Sequence, residues 1–438
     1  MTHRIEECRV CGNNNLSVIL DLGEQTLSGI FPDKPELEHK SPLRLVKCNT
    51  TNIDDIYGSN GCGHVQMEYT FTPEVMYGDD YGYRSGLNKS MVKHLNGRVD
   101  EILKMFEKNP KVSLEEGDVV LDIAGNDGTT LGFYPKNLRK INIDPTSKKF
   151  KKYQPEGVET VPEFFSSNAY SMQFGVEDKV GVDWDSEDIE RQVKKAKVIT
   201  AFSMFYDLEN PNTFLMDVKK CLDPDGIVVF EQSYMPLMFD RLAYDTVCHE
   251  HLSYYALKQF KYMFDLWRMK IIDVSFNDCN GGSFVVTATH DTSLAWTAND
   301  ALVNKILEIE KGGNYNQMNT WKQWEEVIKH SRTQLQQIIK GKKVAALGAS
   351  TKGNVVLQYC GLGPEDIEVV GDVNPDKHGC YTPGTWIPIT DEDTVLAGDY
   401  DYYLVLPWHF KEFFINNEKF KGKTLLFPLP KVHTVTVE

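Results

Sequence analysis

Read for apolar runs alone, the chain alternates between strand-like and helix-like stretches. In "GDVVLDIAGNDGTTLGFYP" the run Val119 to Ile123 predicts a buried parallel strand, and the turn "AGNDG" predicts the opening of a helix. "INIDPT" ends a second strand at Asp144, and "KVITAF" and "GIVVFEQS" supply two more. Between those two, "YDLENPNTFLMDVKKCLDPDG" predicts a helix closed by a Pro-Asp-Gly turn. In "TWKQWEEVIKHSRTQLQQIIK", residues Trp321, Trp324, Ile328, Leu335 and Ile338 fall on one helical face, which predicts a connecting helix. "KKVAALGASTKGNVVLQYCG" then repeats strand, glycine turn and helix. The pattern is that of an α/β protein with two Rossmann-like units.

The first 62 residues differ, because their signal lies in cysteines. Cys8 and Cys11 form a C-x-x-C turn, and Cys48 and Cys62 follow with the polar stretch "NTTNIDDIYGSNG" looped out between them. Four thiols in that pattern fit a closed tetrahedral zinc site, structural in kind, with His64 as a possible substitute ligand. The expected organisation is a zinc-binding domain over 1–68, a first Rossmann-like core over 69–335 and a second Rossmann-like domain over 336–438.

Composition narrows the partners. The 438 residues are 41% hydrophobic, and 63 acidic against 47 basic side chains give a formal charge of −16. No block of lysine and arginine could track a phosphate backbone, so nucleic acid is not expected as a partner. "MTHRIEECRVCG" has no apolar signal core, and no stretch reaches the roughly 18 apolar residues of a membrane span. A cytoplasmic monomer with no membrane association is the expectation.

Three segments carry the candidate chemistry. In the first, Gly125 and Gly128 enclose Asn126 and Asp127; a carboxylate there would repel a dinucleotide's pyrophosphate. S-adenosylmethionine instead carries a sulfonium and an ammonium, which suit Asp122 and Asp127. Asp144, roughly 20 residues beyond Gly125, suits the ribose hydroxyls. The second is "LGASTKGN", where Ser350, Lys352 and backbone amides at a helix start favour a phosphate, without the G-K-[ST] ending of an NTPase. The third is "TVCHEHLSYYAL". Its histidines are two apart, so a helix would aim them to opposite sides, whereas an extended segment would put His249 and His251 on one face and Glu250 on the other. That suits acid/base work better than a metal cage.

In their order, "CRVCG", "DDYGYRSGLNKSMVKH", "LDIAGNDGTTL", "CHEHLSYYAL", "NGGSF", "LGASTKGNVVLQYCG", "YTPGTWIPI" and "LPWHF" resemble the S-adenosylmethionine-dependent sugar C-methyltransferases over nearly the whole chain. The resemblance implies a zinc-binding N-terminal domain, a Rossmann-like class I methyltransferase core and a C-terminal Rossmann-like domain. It also implies methylation of a ring carbon in a nucleotide-diphosphate keto-deoxysugar. His251 takes the position of the family's base, with Glu250 and His249 beside it, and Tyr81 and Tyr83 match tyrosines that stabilise the enolate. Ser350, Lys352, Gly353 and Asn354 correspond to the diphosphate site, while Asn280, Tyr381, Trp408 and His409 face the sugar or base. Three positions depart from the pattern. Cys248 stands where the family has a tyrosine, Asn280 stands where it has a histidine, and "SMFYDLENP" replaces a histidine-bearing loop.

Two other readings share these residues: an NAD-type oxidoreductase or epimerase on nucleotide sugars, which Asp127 and the missing third glycine oppose, and an inactive zinc-containing scaffold, which Cys248 favours.

Overall fold

The computed structural model describes residues 2–35, 39–50, 61–72, 76, 84–174 and 193–438. Its first unit is made of short strands, β1 (Thr2–Arg4), β2 (Leu16–Thr26), β3 (Lys40–Cys48), β4 (Val65–Met67) and β5 (Tyr69–Phe71). β1 pairs with β5, and β2, β3 and β4 form an antiparallel sheet.

The core strands are β6 (Val119–Ile123), β7 (Arg139–Ile143), β8 (Val158–Val161), β9 (Ala196–Phe202) and β10 (Leu222–Ser233). After β11 (Ser253–Tyr254) come β12 (Met269–Asn277) and β13 (Ser283–His290). The seven-stranded sheet runs β12-β13-β10-β9-β6-β7-β8, with β13 antiparallel to both its neighbours. All five residues of β6 are buried, as a strand covered on both faces requires. From β6 the chain steps outward to β7 and β8, then returns to lay β9 and β10 on the other side. The topological switch point, where open α/β sheets bind ligands, therefore lies at the carboxyl ends of β6 and β9.

The last unit contains β14 (Val344–Leu347), β15 (Val370–Asp372), β16 (Ile389–Asp391), β17 (Tyr402–Val405), β18 (Thr424–Phe427) and β19 (His433–Thr436). Its sheet order, β16-β15-β14-β17-β18-β19, has a second switch point between β14 and β17. The helix Met318–Ile339 joins core to last unit, with Gln336 Nε2 donating to the Cys360 carbonyl at 2.7 Å.

Three local expectations are corrected. Beyond "AGNDG" the described backbone makes only a 3-10 turn at Leu131–Phe133, since Pro135 follows and ends it. The helix Pro211–Cys221 passes directly into β10, so Asp223–Gly226 forms an irregularity of the strand rather than a separate turn. On the connecting helix Ile339, not Ile338, completes the buried face. One pairing had no counterpart in the sequence pattern: β11 leaves the core to pair with β4, so residues 253–254 extend the sheet of the N-terminal unit. No described helix is long and apolar enough to cross a membrane.

Candidate functional site

The four N-terminal cysteines converge. Cys8 and Cys62 Sγ are 3.6 Å apart, as are Cys11 and Cys48 Sγ, and all four sulfurs lie within 4.8 Å of one another. Zn–S bonds of about 2.3 Å demand tetrahedral edges near 3.8 Å, so the donor set fits one zinc ion with no position open to substrate. His64 is not in the cluster. Its buried ring lies 4.8 Å from that of Tyr255, and Nε2 sits 3.1 Å from Ser253 Oγ.

At the core's switch point the backbone is bent out of the ordinary regions. Ala124 (φ 55°) and Asn126 (φ 53°) follow β6, and Ser203 (φ 55°) follows β9; such conformations concentrate at sites where strain serves binding. Gly125 has no alternative: a Cβ there would stand 2.6 Å from both Asp122 Oδ2 and Asn142 Oδ1. Asp122 accepts from Thr200 through Oδ1 at 2.6 Å, while its buried Oδ2 has no hydrogen-bond partner among the described residues. Burial pushes this carboxyl up to about 7. Asp127 accepts from Gly86 N at 2.9 Å, and Asp144 from Asn126 N and Thr146 N at 2.8 and 2.6 Å. Much of the acceptor capacity thus shapes the loop, and the orphaned Asp122 oxygen beside a cradle only glycine permits is what fits the cationic cofactor.

The "CHEH" segment is a turn, with His251 N donating to the Cys248 carbonyl at 3.1 Å. The expected shared face for the two histidines is therefore not found, because the turn rotates one ring away from the other. His249 points to the N-terminal unit, with Nε2 3.2 Å from the Ser41 carbonyl and its ring against Phe71. His251 points to the core. Its Nδ1 lies 2.8 Å from the Thr246 carbonyl, and its ring centroid is 4.4 Å from that of Tyr206. A carbonyl can only accept, so the neutral ring carries its proton on Nδ1 and leaves Nε2 as an acceptor. Burial first, then the charge of Lys352, hold His251 down to about 4. Glu250 lies beside Gly29, as does Thr351, and desolvation raises its carboxyl. Tyr81 and Tyr83 lie outside the described residues.

The last unit brings its own switch point to this place. Lys352 Nζ donates to the Asn280 carbonyl at 2.6 Å, and Asn280 Nδ2 donates to Ser203 Oγ at 3.3 Å. Gly281 lies against His409 and Trp408. The partly buried His409 is held down to about 3 by desolvation, and its Nδ1 has no hydrogen-bond partner among the described residues. Ser350 caps its helix by accepting from Gly353 N at 3.1 Å, and Gly353 leaves the space taken by Leu406. Asn354 donates to the Ser28 carbonyl at 2.8 Å, and Tyr381 N donates to the Pro32 carbonyl at 2.8 Å. These two hold the last unit to the first rather than lining open space.

Sequence reasoning missed two groups. Asp245 is buried and accepts from Trp408 Nε1 at 2.7 Å across 163 residues. His94 Nε2 stands 2.5 Å from Glu231 Oε1, and Cys279 completes a cluster within 4.8 Å. The only sequence signals were acidic residues in apolar surroundings, Glu231 in "VVFEQS" and Asp245 in "LAYDTV". Under the His251 ring a cavity of about 10 Å³, room for one water, is shared with Tyr206, Met235, Thr246 and Tyr254. A roomier hollow of about 430 Å³ beside Asn277 and Asp278 is lined by Tyr234, Phe276 and Ile306, away from the histidine.

Three family models match the chain in succession. A zinc binding domain matches residues 8–77, a methyltransferase domain residues 91–266 and a C-methyltransferase C-terminal domain residues 278–430. In that order they define the class: the chain is an S-adenosylmethionine-dependent C-methyltransferase with a zinc-binding domain ahead of its catalytic core, and the oxidoreductase and scaffold readings give way. Along its whole length it is similar to the C-methyltransferase NovU of Streptomyces niveus, 26% identical over 99% of this chain and 98% of that one. Fainter likenesses among solved structures include the CurJ carbon methyltransferase (16% identity, 46% of this chain and 55% of that one, TM-score 0.31). The PH0226 protein from Pyrococcus horikoshii is another, at 11% identity over 48% of this chain and 94% of that one, with a TM-score of 0.34.

Proposed function

We propose that the protein methylates the carbon next to the ketone of a nucleotide-linked deoxysugar, bound where the two switch points face each other. The observation that carries this reading is the His251 ring, whose Nδ1–H is tied to the Thr246 carbonyl so that Nε2 is free to take a proton. Removing a proton beside a ketone produces an enolate, whose carbon is then the nucleophile. Bound S-adenosylmethionine would supply an electrophilic methyl group. Asp122, Gly125, Asn126, Asp127, Gly128 and Asp144 are the residues that would hold it. Cys8, Cys11, Cys48 and Cys62 would hold zinc in a purely structural role.

His251 abstracts the proton, and the Thr246 carbonyl keeps its tautomer. Glu250, beside Gly29, fixes the turn between the units. The helix start at Ser350–Gly353 offers backbone amides to a diphosphate, while Asn280, Trp408 and His409 border the sugar. Calorimetric titration with thymidine diphosphate and guanosine diphosphate tests the substrate class. Binding of at least one, undiminished by saturating S-adenosylmethionine, is expected; silence from both would remove the nucleotide-sugar reading.

A further inference from the structure

Resting on that reading, we propose that Lys352 hydrogen-bonds the enolate oxygen formed when His251 removes the proton, in place of the phenol that Cys248 cannot supply. The residue reaches this position from the other sheet. It lies in the first turn of the helix Thr351–Cys360, and its Nζ does not turn back to its own phosphate-type loop but crosses to the core, where it donates to the Asn280 carbonyl at 2.6 Å. Asn280 is itself anchored to Ser203 at the carboxyl end of β9, so the ammonium stands at the rim where the core's switch point opens. Its neighbour Thr351 lies beside Gly29, as does Glu250, which adjoins His251 in sequence.

Three groups feel this charge, Asp245 buried and the two histidines partly so. It presses His251 and His409 toward the neutral form, and it pulls Asp245 toward the ionised form against the effect of burial. Asp245, held by Trp408 Nε1, supplies opposite charge near the ammonium. Cys248 is wholly buried, and burial keeps its thiol protonated, so this side of the site offers a poor hydrogen-bond donor. A lysine carries three donors, of which one is used on Asn280.

The step balances within the substrate and two side chains. The C–H bond beside the ketone breaks, its proton passes to His251 Nε2, and its electron pair forms the C=C bond of the enolate. The displaced carbonyl pair rests on oxygen, where Lys352 donates a hydrogen bond. When the carbon gains the methyl group, the pair returns to the carbonyl and Lys352 keeps its proton. This arrangement assigns the diphosphate to the backbone amides of the helix start and not to Lys352.

Lys352→Met and Lys352→Arg distinguish the two assignments. A thymidine-diphosphate-linked 4-keto-6-deoxyhexose serves as probe, and its ring-proton exchange in D2O reports enolate formation without methyl transfer. Loss of one oxyanion donor lowers turnover on the order of 10²–10³-fold, so Lys352→Met should lose exchange and kcat to that extent. Lys352→Arg should recover part of the loss, and affinity for thymidine diphosphate should change by less than about threefold. Retained exchange in Lys352→Met, or a tenfold loss of thymidine diphosphate binding, would overturn the assignment. If the wild-type protein leaves the keto sugar untouched, the proposed function falls, while the diphosphate titration still decides what Lys352 holds.

Discussion

His251 must be neutral before it can accept a proton, and its surroundings keep it so. Burial and the Lys352 charge lower it to about 4, so the base form is lost only as pH falls through that value. With S-adenosylmethionine saturating, so that Asp122 stays ionised against it, the expected kcat/KM profile for the sugar is flat from neutrality down to about pH 5 and falls below it; an acid limb centred near the ordinary histidine value would contradict this environment. His251→Asn removes the acceptor nitrogen but not the fold of the turn, and should lower turnover by 10²–10⁴-fold while S-adenosylmethionine still binds. At the cofactor loop, Gly125→Ala forces a Cβ to 2.6 Å from two side-chain oxygens. That variant should bind S-adenosylmethionine at least tenfold more weakly by calorimetry, with the fold retained by circular dichroism. Such residues were legible in the sequence because each stands within a short motif. The acceptor of His251 Nδ1, by contrast, is a backbone carbonyl five residues upstream, which only the turn brings into range.

The element that positions His251 belongs to two units at once. β11 follows His251 by two residues and pairs with β4 of the cysteine-bearing sheet, through Ser253 with Gln66 and Tyr254 with Val65. Gln259 Nε2 donates to the Cys62 carbonyl at 3.0 Å, and Asn212 Nδ2 to the Val10 carbonyl at 2.9 Å. A metal that holds Cys8, Cys11, Cys48 and Cys62 together thereby holds the strand next to the base. Removing zinc with a chelator should speed amide hydrogen exchange across residues 246–256, read by mass spectrometry; unchanged protection there would show that the turn stands without the metal. Strands were legible where apolar runs were continuous, as in β6 and β14. The segment after "AGNDG" was misread because glycine turns of this type commonly start helices, whereas Pro135 limits this one. β11 escaped notice because two residues carry no periodicity, and its partner lies 187 to 189 positions away in sequence.

Across the molecule, two doubly wound sheets turn their switch points toward each other, and the link from Lys352 through Asn280 to Ser203 spans the gap. The alternation of strands and glycine turns made both sheets legible. The facing arrangement was not, since its contacts join residues far apart, such as Trp408 with Asp245. His94 is a similar case, 137 positions from Glu231. Cys279 and then Glu231 raise it to about 10, so in the fold it keeps a proton that the unfolded chain releases near the ordinary value of 6.5. Its stabilisation is full below pH 6.5 and is lost as pH rises through 10. Urea midpoints at pH 6.5 and 10 should therefore differ more for the wild-type protein than for His94→Gln, and equal differences would contradict this linkage. The central claim, carbon methylation started by His251, is met most directly by supplying S-adenosylmethionine labelled with 13C in its methyl group together with the thymidine-diphosphate-linked 4-keto-6-deoxyhexose. The product is then read by 13C NMR for the wild-type protein and His251→Asn. A labelled methyl on the ring carbon next to the ketone, absent with His251→Asn, is expected. A methyl on oxygen, or undiminished transfer by His251→Asn, would contradict it.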